Sequence, residues 1–196
     1  MPRPLPVLAL ALALALPGAA GATSFVYQAA LSGPNEFPAN ASPGTGFTTV
    51  TYDDVAHSLH VQITFGNLTA GTTASHIHCC VSPSAATPTA GVATTTPTFP
   101  NFPLGVTAGT YDQTFDLTQA GSWNPAFVTA NGGTTASAET TLAAGLAAGF
   151  AYLNIHTSAF QSGEIRGFLT LVPEPGTAGL LGAGLAVLSL ARRRSG

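Results

Sequence analysis

Alternation of apolar and polar residues is the sequence feature that most limits how this chain can fold. From Leu59 to Phe65 every second residue is apolar, so one face of an extended strand would pack while the other meets solvent. Similar short runs, separated by clusters of Gly, Pro, Asn and Asp, cover residues 25–31, 46–52, 74–81, 110–117, 150–156 and 164–171. About seven short strands of this kind predict an all-β fold, an antiparallel Greek-key β-sandwich or barrel.

Two segments interrupt the alternation. Residues 83–103 contain five prolines, which cannot donate the hydrogen bonds of a central strand, so we expect a long surface loop there. Residues 137–146 instead predict a short helix, with Ser137 as its N-cap and with Leu142 and Leu146 four residues apart on one face. We expect this helix to lie across an open end of the sandwich.

Charge is scarce along the whole chain. Only 7% of the residues are charged, against roughly 25% in a typical soluble domain. Between residues 23 and 171 the single basic residue is Arg166, and there is no lysine. A nucleic-acid binder needs a basic surface to neutralise phosphates, so this function is excluded.

The first 22 residues predict a secretory signal peptide. Arg3 supplies a positive start, residues 5–16 form an apolar run, and Ala20-Gly21-Ala22 is a cleavage site of small residues. We therefore expect residues 23–171 to be exported as one domain.

Residues 172–196 form a tail of three parts. An apolar run at 177–191 can enter a bilayer, and the arginine cluster behind it stays cytoplasmic. The run is shorter than the roughly 20 residues of a stable span, which favours a transient anchor in the inner membrane; a plain C-terminal membrane helix is the alternative. The flanking residues are the triplet Pro173, Glu174 and Pro175 before the run, and Arg192, Arg193 and Arg194 after it.

This tail resembles the PEP-CTERM sorting signal of Gram-negative bacteria, since all three parts stand in order. The resemblance implies that an exosortase-type enzyme cuts near the Pro-Glu-Pro triplet. It also implies delivery of the domain to the cell surface or the extracellular matrix.

Three histidines form a candidate metal site. Strand alternation places His76 and His78 on one face, and His156 shares the polar face of a later strand with Tyr152 and Asn154. Two rises of about 3.3 Å separate the first pair, so both rings can reach one ion at about 2.0 to 2.1 Å. A third imidazole completes a usual ligand set for copper or zinc. The alternative is that the histidines hold no ion and hydrogen-bond to backbone or to Glu164.

The remaining chemical groups leave several interpretations open. For Cys79 and Cys80 three interpretations stay open: a strained vicinal disulfide, ligation of the metal by Cys80, or two thiols that stay free or pair between molecules.

The positions of Glu164 and Arg166 predict an ion pair along one strand at the sheet surface. The pair would be close enough to His156 to support it as auxiliaries of the site. No nucleophile with an adjacent base accompanies them, so we expect no catalytic residue and no enzyme. His57 and His60, three apart on a strand, face opposite ways and are interpreted as structural.

Three sequence blocks resemble the CHRD domain, the module named from chordin and common in secreted bacterial proteins. They are residues 30–38, residues 74–78, and residues 152–157 with 163–167. The resemblance implies an extracellular β-fold module with a binding or structural role and no established reaction. Its expected partners at the surface are an exopolysaccharide or another surface protein.

A weaker likeness links the histidine pair, the later histidine and the late arginine to copper/zinc superoxide dismutases. The long zinc loop of those enzymes has histidines of its own, whereas residues 80–109 contain none. Dismutase activity is therefore not the primary expectation. Metal capture, or dismutase-like redox chemistry with copper or zinc, is the alternative to a binding or structural role.

Overall fold

The computed structural model describes residues 24–173, which form one curled antiparallel sheet of eight strands, a half-barrel. Along the sheet the order is β4, β6, β7, β1, β2, β3, β5, and β8 pairs with β1. The strands are β1 Ser24–Ser32, β2 Thr45–Asp53, β3 Ser58–Gly66, β4 Thr72–His78, β5 Gly109–Asp116, β6 Tyr152–Thr157, β7 Ile165–Phe168 and β8 Thr170–Leu171. The predicted antiparallel all-β fold is confirmed, with the last predicted strand divided into β7 and β8.

The inner face of the sheet carries the core, as the alternation predicts. Leu59, Val61, Ile63 and Phe65 of β3 are all buried, at most 4% exposed. Their neighbours across β2 and β1 are held in register over nine residue pairs in each ladder. Burying a side chain of this size contributes roughly 1.5 to 3 kcal/mol, so the four side chains of this one strand account for much of the local stability.

The proline-rich segment closes the gap between the two edge strands, β4 and β5. Phe99 is fully buried and stacks against Tyr111 of β5, with ring centroids 5.6 Å apart. The amide of the same residue donates to the carbonyl of Ser75 in β4 at 3.1 Å. The segment lacks regular strands, as predicted, but part of it packs into the core because it covers edges that would otherwise leave backbone groups unpaired.

Two helices follow β5: α1 at Pro125–Ala130 and α2 at Thr135–Ala147. The predicted helix corresponds to α2 and begins earlier than expected, with Thr134 as its N-cap and Ser137 reciprocating in a capping box. Leu142 and Leu146 are buried, as their spacing predicted. The sequence analysis did not predict α1, which has only six residues.

The predicted signal peptide and the apolar run 177–191, which we expect to form apolar helices at the two ends of the chain, lie outside the described residues. Within residues 24–173, no helix has the length and apolar character that a membrane crossing requires.

Candidate metal centre

The register between β4 and β6 brings the three histidines to one place. His76 lies opposite Asn154, His78 lies opposite Tyr152, and Ala74 lies opposite His156. In an antiparallel pair, opposite residues point to the same face, so all three imidazoles project from the outer face of the sheet. Sequence spacing put His76 and His78 together, and the pairing of the strands adds His156.

The three imidazoles form a compact cluster. Their ring centroids are separated by 5.8 Å for His76 and His78, 5.3 Å for His76 and His156, and 6.3 Å for His78 and His156. One ligand atom from each residue lies within 4.8 Å of the others. His76 and His78 are only 6% and 8% exposed, because residues 83–103 fold over this outer face. The outer polar rows of these strands are therefore buried, which the alternation did not predict.

Backbone carbonyls fix the orientation of each ring. The contacts are His76 Nε2 to Pro97 O at 2.5 Å, His78 Nδ1 to Ala90 O at 2.8 Å, and His156 Nδ1 to Gln161 O at 2.9 Å. A carbonyl can only accept, so each of these nitrogens carries the proton and donates. The lone pairs of the neutral rings therefore lie on His76 Nδ1, His78 Nε2 and His156 Nε2.

Two of these lone-pair nitrogens have no hydrogen-bond partner. His76 Nδ1 and His156 Nε2 are buried and unpaired among the described residues. Leaving a buried polar atom unsatisfied costs roughly 1 to 3 kcal/mol, so each such atom in a folded protein requires an explanation. The third nitrogen, His78 Nε2, lies 3.1 Å from Asn154 Oδ1, an amide oxygen that also only accepts.

Burial keeps all three histidines in the neutral, metal-binding form. It lowers the pKa of His76 and of His156, and lowers the pKa of His78 to about 4. The hydrogen bonds to backbone carbonyls oppose this shift but do not overcome it. At neutral pH the cluster offers three uncharged nitrogen ligands.

Tyr152 and Arg166 stack in turn on one face of the His78 ring. The ring of Tyr152 lies parallel to the imidazole, with centroids 4.8 Å apart and planes 4° apart. The guanidinium carbon of Arg166 lies 4.8 Å from the centre of the Tyr152 ring, a cation–π contact. The Arg166 head donates to the carbonyls of Asn35 and Pro88 and lies 3.7 Å from Glu36 Oε2.

Glu36 is the acidic partner that the sequence analysis missed. It is only 7% exposed, and burial raises its pKa to about 7 although the nearby Arg166 opposes this shift. The scarcity of basic residues was the available signal for this pairing, because an acidic residue in such a sequence has few cations to pair with. Arg166 therefore pairs with Glu36, which follows the end of the neighbouring strand β1, rather than with Glu164 next to its own strand.

Glu164 takes a different role from the one expected. Its carboxylate accepts hydrogen bonds from Ser42 Oγ, the Thr69 amide and Thr157 Oγ1, each at 2.6 Å. The residue precedes β7 and follows Gly163, whose φ of 129° turns the backbone, so strand alternation does not fix its direction. It is fully buried, ties three segments together, and makes no hydrogen bond to His156.

The cysteines also lie apart from the histidine cluster. Cys79 and Cys80 are joined in a disulfide between adjacent residues. The Sγ of Cys80 lies 3.7 Å from the carbonyl of Thr141 in α2, and both sulfurs pack against Gly145, where any side chain would collide with them. Cys80 is therefore not among the residues that the structure brings together around the three histidines.

These observations first define a class of protein, an all-β half-barrel with a buried cluster of three histidines beneath a proline-rich segment. The family model described as CHRD domain matches residues 27–169, so the chain belongs to the CHRD family. A second model, described as PEP-CTERM protein-sorting motif, matches residues 171–195. Both resemblances predicted from the sequence are confirmed.

The sorting motif implies processing by an exosortase-type enzyme and points to export to the cell surface in Gram-negative bacteria. No curated protein and no solved structure matches this chain.

Proposed function

We propose that this protein is an exported surface protein whose CHRD domain captures a transition metal, copper or zinc, through His76, His78 and His156. One observation carries the proposal: three ligand nitrogens lie within 4.8 Å of one another, and two of them are buried with no hydrogen-bond partner. A bound ion would satisfy all three lone pairs at once.

The hydrogen bonds of the cluster favour a metal over a purely structural role. Each imidazole uses one nitrogen to contact a backbone carbonyl, an arrangement that commonly orients metal-ligating histidines. A structural role accounts for these outer contacts but leaves the inner nitrogens unsatisfied. Three nitrogens bound to one ion at about 2.0 to 2.1 Å would be roughly 3.4 Å apart, so modest ring rotations suffice to close the site.

Metal content tests this proposal directly. After loading with copper or zinc and removal of free ion, the full-length protein is expected to retain one ion per chain. His78→Asn removes one ligand and is expected to reduce retention at least about tenfold. His60→Asn is the matched control, since His60 lies at the surface and contacts Asp112 instead. Equal retention by both variants, or no retention by the parent protein, contradicts the proposal.

The C-terminal tail supplies the second part of the proposed function. Residues 172–196 would anchor the protein transiently in the inner membrane through 177–191 until an exosortase-type enzyme cuts near Pro173, Glu174 and Pro175. Deleting residues 173–196 is expected to release the protein into the soluble exported fraction. Substituting Arg192, Arg193 and Arg194 with Ser, which keeps the apolar run, tests the arginine cluster separately. Surface association that survives the deletion argues against this part.

Partner binding is a second candidate function, favoured by the outer face of β2, β3 and β5. Phe47 is 47% exposed there, in a shallow cavity of about 370 Å³. The cavity is otherwise lined mainly by uncharged hydrogen-bonding groups, including Thr49, Gln62, Thr64 and Thr110, with Asp112 as the one acidic residue of this lining. An exposed ring among such groups suits a neutral polysaccharide, through ring stacking and hydrogen bonds. Phe47→Ser is expected to weaken binding of the protein to purified exopolysaccharide, and unchanged binding removes this candidate.

A further inference from the structure

We infer that the three-histidine centre is built for monovalent copper, Cu(I), in preference to divalent zinc. The inference rests on the proposed metal-binding function and narrows it to one charge state. It follows from the electrical balance of the groups that surround His76, His78 and His156.

The centre contains no anionic ligand. Within residues 24–173, the group of converging ligand atoms holds three histidines and no Asp, Glu or Cys. The outer nitrogens contact carbonyls of Pro97, Ala90 and Gln161, which are polar but carry no net charge. In many metal sites a carboxylate accepts the hydrogen bond from the outer ring nitrogen and makes the histidine a stronger ligand. Here the acceptor is an uncharged carbonyl in all three cases.

Arg166 approaches the centre through a stacked ring and has its own acidic partner. Arg166 stacks on Tyr152, and Tyr152 stacks on His78, with 4.8 Å at each step. The carboxylate that faces Arg166 is Glu36, at 3.7 Å. Because burial raises the pKa of Glu36 to about 7, the pair carries no net negative charge at neutral pH. Glu164, another buried carboxylate, accepts hydrogen bonds from Ser42, Thr69 and Thr157 and makes none to a histidine.

Because the site is buried, the shortage of negative charge around it affects which ion binds. The free-energy cost of moving an ion from water into a less polar interior rises with the square of its charge, so a dication costs about four times as much as a monocation of equal size. His76 and His78 are at most 8% exposed, and the inward nitrogen of the partly exposed His156 is buried, so water does little to relieve this cost. Imidazole is an ordinary ligand for copper, and three ligands complete a Cu(I) site, whereas zinc held by three protein ligands needs a water or another molecule as its fourth.

Competition between ions tests the inference on the full-length protein. Cu(I), held reduced with ascorbate, is titrated against the chelator bicinchoninate, and Zn(II) is titrated against a chromophoric zinc chelator. Ag(I) serves as a monovalent probe that needs no reductant. We expect one Cu(I) or Ag(I) per chain, with a dissociation constant at least about 100-fold below that for Zn(II). His78→Asn should lose this binding and His60→Asn should keep it.

A single isosteric substitution probes the electrostatic cause. Asn154→Asp places a carboxylate 3.1 Å from His78 Nε2, where the amide oxygen now lies. If missing negative charge sets the preference, this variant should bind Zn(II) at least about tenfold more tightly relative to Cu(I) than the parent does. An unchanged ratio contradicts the inference.

Different results would contradict the preference for Cu(I) and the proposed metal function. Zn(II) binding as tight as or tighter than Cu(I) binding in the parent protein overturns the preference for Cu(I) and leaves the metal function intact. No binding of any of the three ions overturns the proposed metal function and, with it, this inference.

Discussion

The molecule holds two kinds of histidine, and their contacts differ consistently. His57 and His60 lie near the surface, with side chains 51% and 35% exposed, and contact the carboxylates of Glu139 at 3.0 Å and Asp112 at 2.6 Å. The three histidines of the metal centre contact backbone carbonyls and meet no carboxylate. The acceptor that faces each ring, together with its burial, separates the two groups.

The consequence is a difference in charge. A hydrogen bond to Glu139 raises the pKa of His57 and favours the imidazolium ion. Burial lowers the pKa of His76, His78 and His156 and favours the neutral ring that can bind a metal. The surroundings thus shift His57 towards the cation and the three histidines of the metal centre towards the neutral ring.

The largest expected effect is the loss of metal-dependent stability when a buried histidine is replaced. A ligand present at 1,000 times its dissociation constant stabilises a folded protein by about 4 kcal/mol, so loading should raise the free energy of unfolding by that order. His76→Asn should remove most of the gain, whereas His57→Asn should keep it. Urea unfolding of both variants with and without copper measures the difference, and a gain that survives in His76→Asn contradicts the proposed ligand set.

The next effect concerns the two kinds of ion pair. Arg166→Met removes the buried cation that lies beside Glu36 and donates to the carbonyls of Asn35 and Pro88, and is expected to cost about 3 kcal/mol in the free energy of unfolding. Asp112→Asn breaks the contact with His60 at the surface, where solvent screens the interaction, and should cost much less. Adding Glu36→Gln to Arg166→Met should recover part of the loss at alkaline pH, where the Glu36 carboxyl, whose pKa is raised to about 7 even beside Arg166, still ionises. Equal costs for the buried and the exposed pair would show that burial does not govern their strength.

The smallest expected effect is a pH dependence at the surface. Because the pKa of His57 is raised in the folded state, the folded protein binds more protons than the unfolded chain above the unfolded pKa of about 6.5. The stabilisation by the pair with Glu139 is therefore fully present below about pH 6.5 and is lost as pH rises through the raised value. His57→Asn, which suits the left-handed φ of 50° at this position, should abolish this part of the pH profile. Unfolding curves for both proteins between pH 6 and pH 9 measure it, and identical profiles would contradict the assignment.

Much of the fold follows from local sequence patterns. Strict alternation in β3 fixed which side chains face the core, and leucine spacing located α2. Alternation failed on β4, β6 and β7, where the polar row is also buried. The two-residue alternation predicts which residues share a face of a strand. It does not predict whether a distant loop covers that face.

The candidate site shows the same limit. His76, His78 and His156 could be selected as a group because each lies on a regular strand and strand geometry is local. Glu36 and the carbonyls of Pro97 and Ala90 could not, since segments without regular structure carry them to the site. The direction of Glu164 was also unpredictable, because the turn at Gly163 ends the strand alternation just before β7.

X-ray absorption at the metal edge, on full-length protein loaded with one equivalent of copper under ascorbate, tests the central claim most directly. The account predicts three nitrogen neighbours at about 2.0 Å, outer-shell scattering typical of imidazole, and no sulfur. A first shell that contains sulfur, or one made of oxygen alone, would contradict a centre built from His76, His78 and His156.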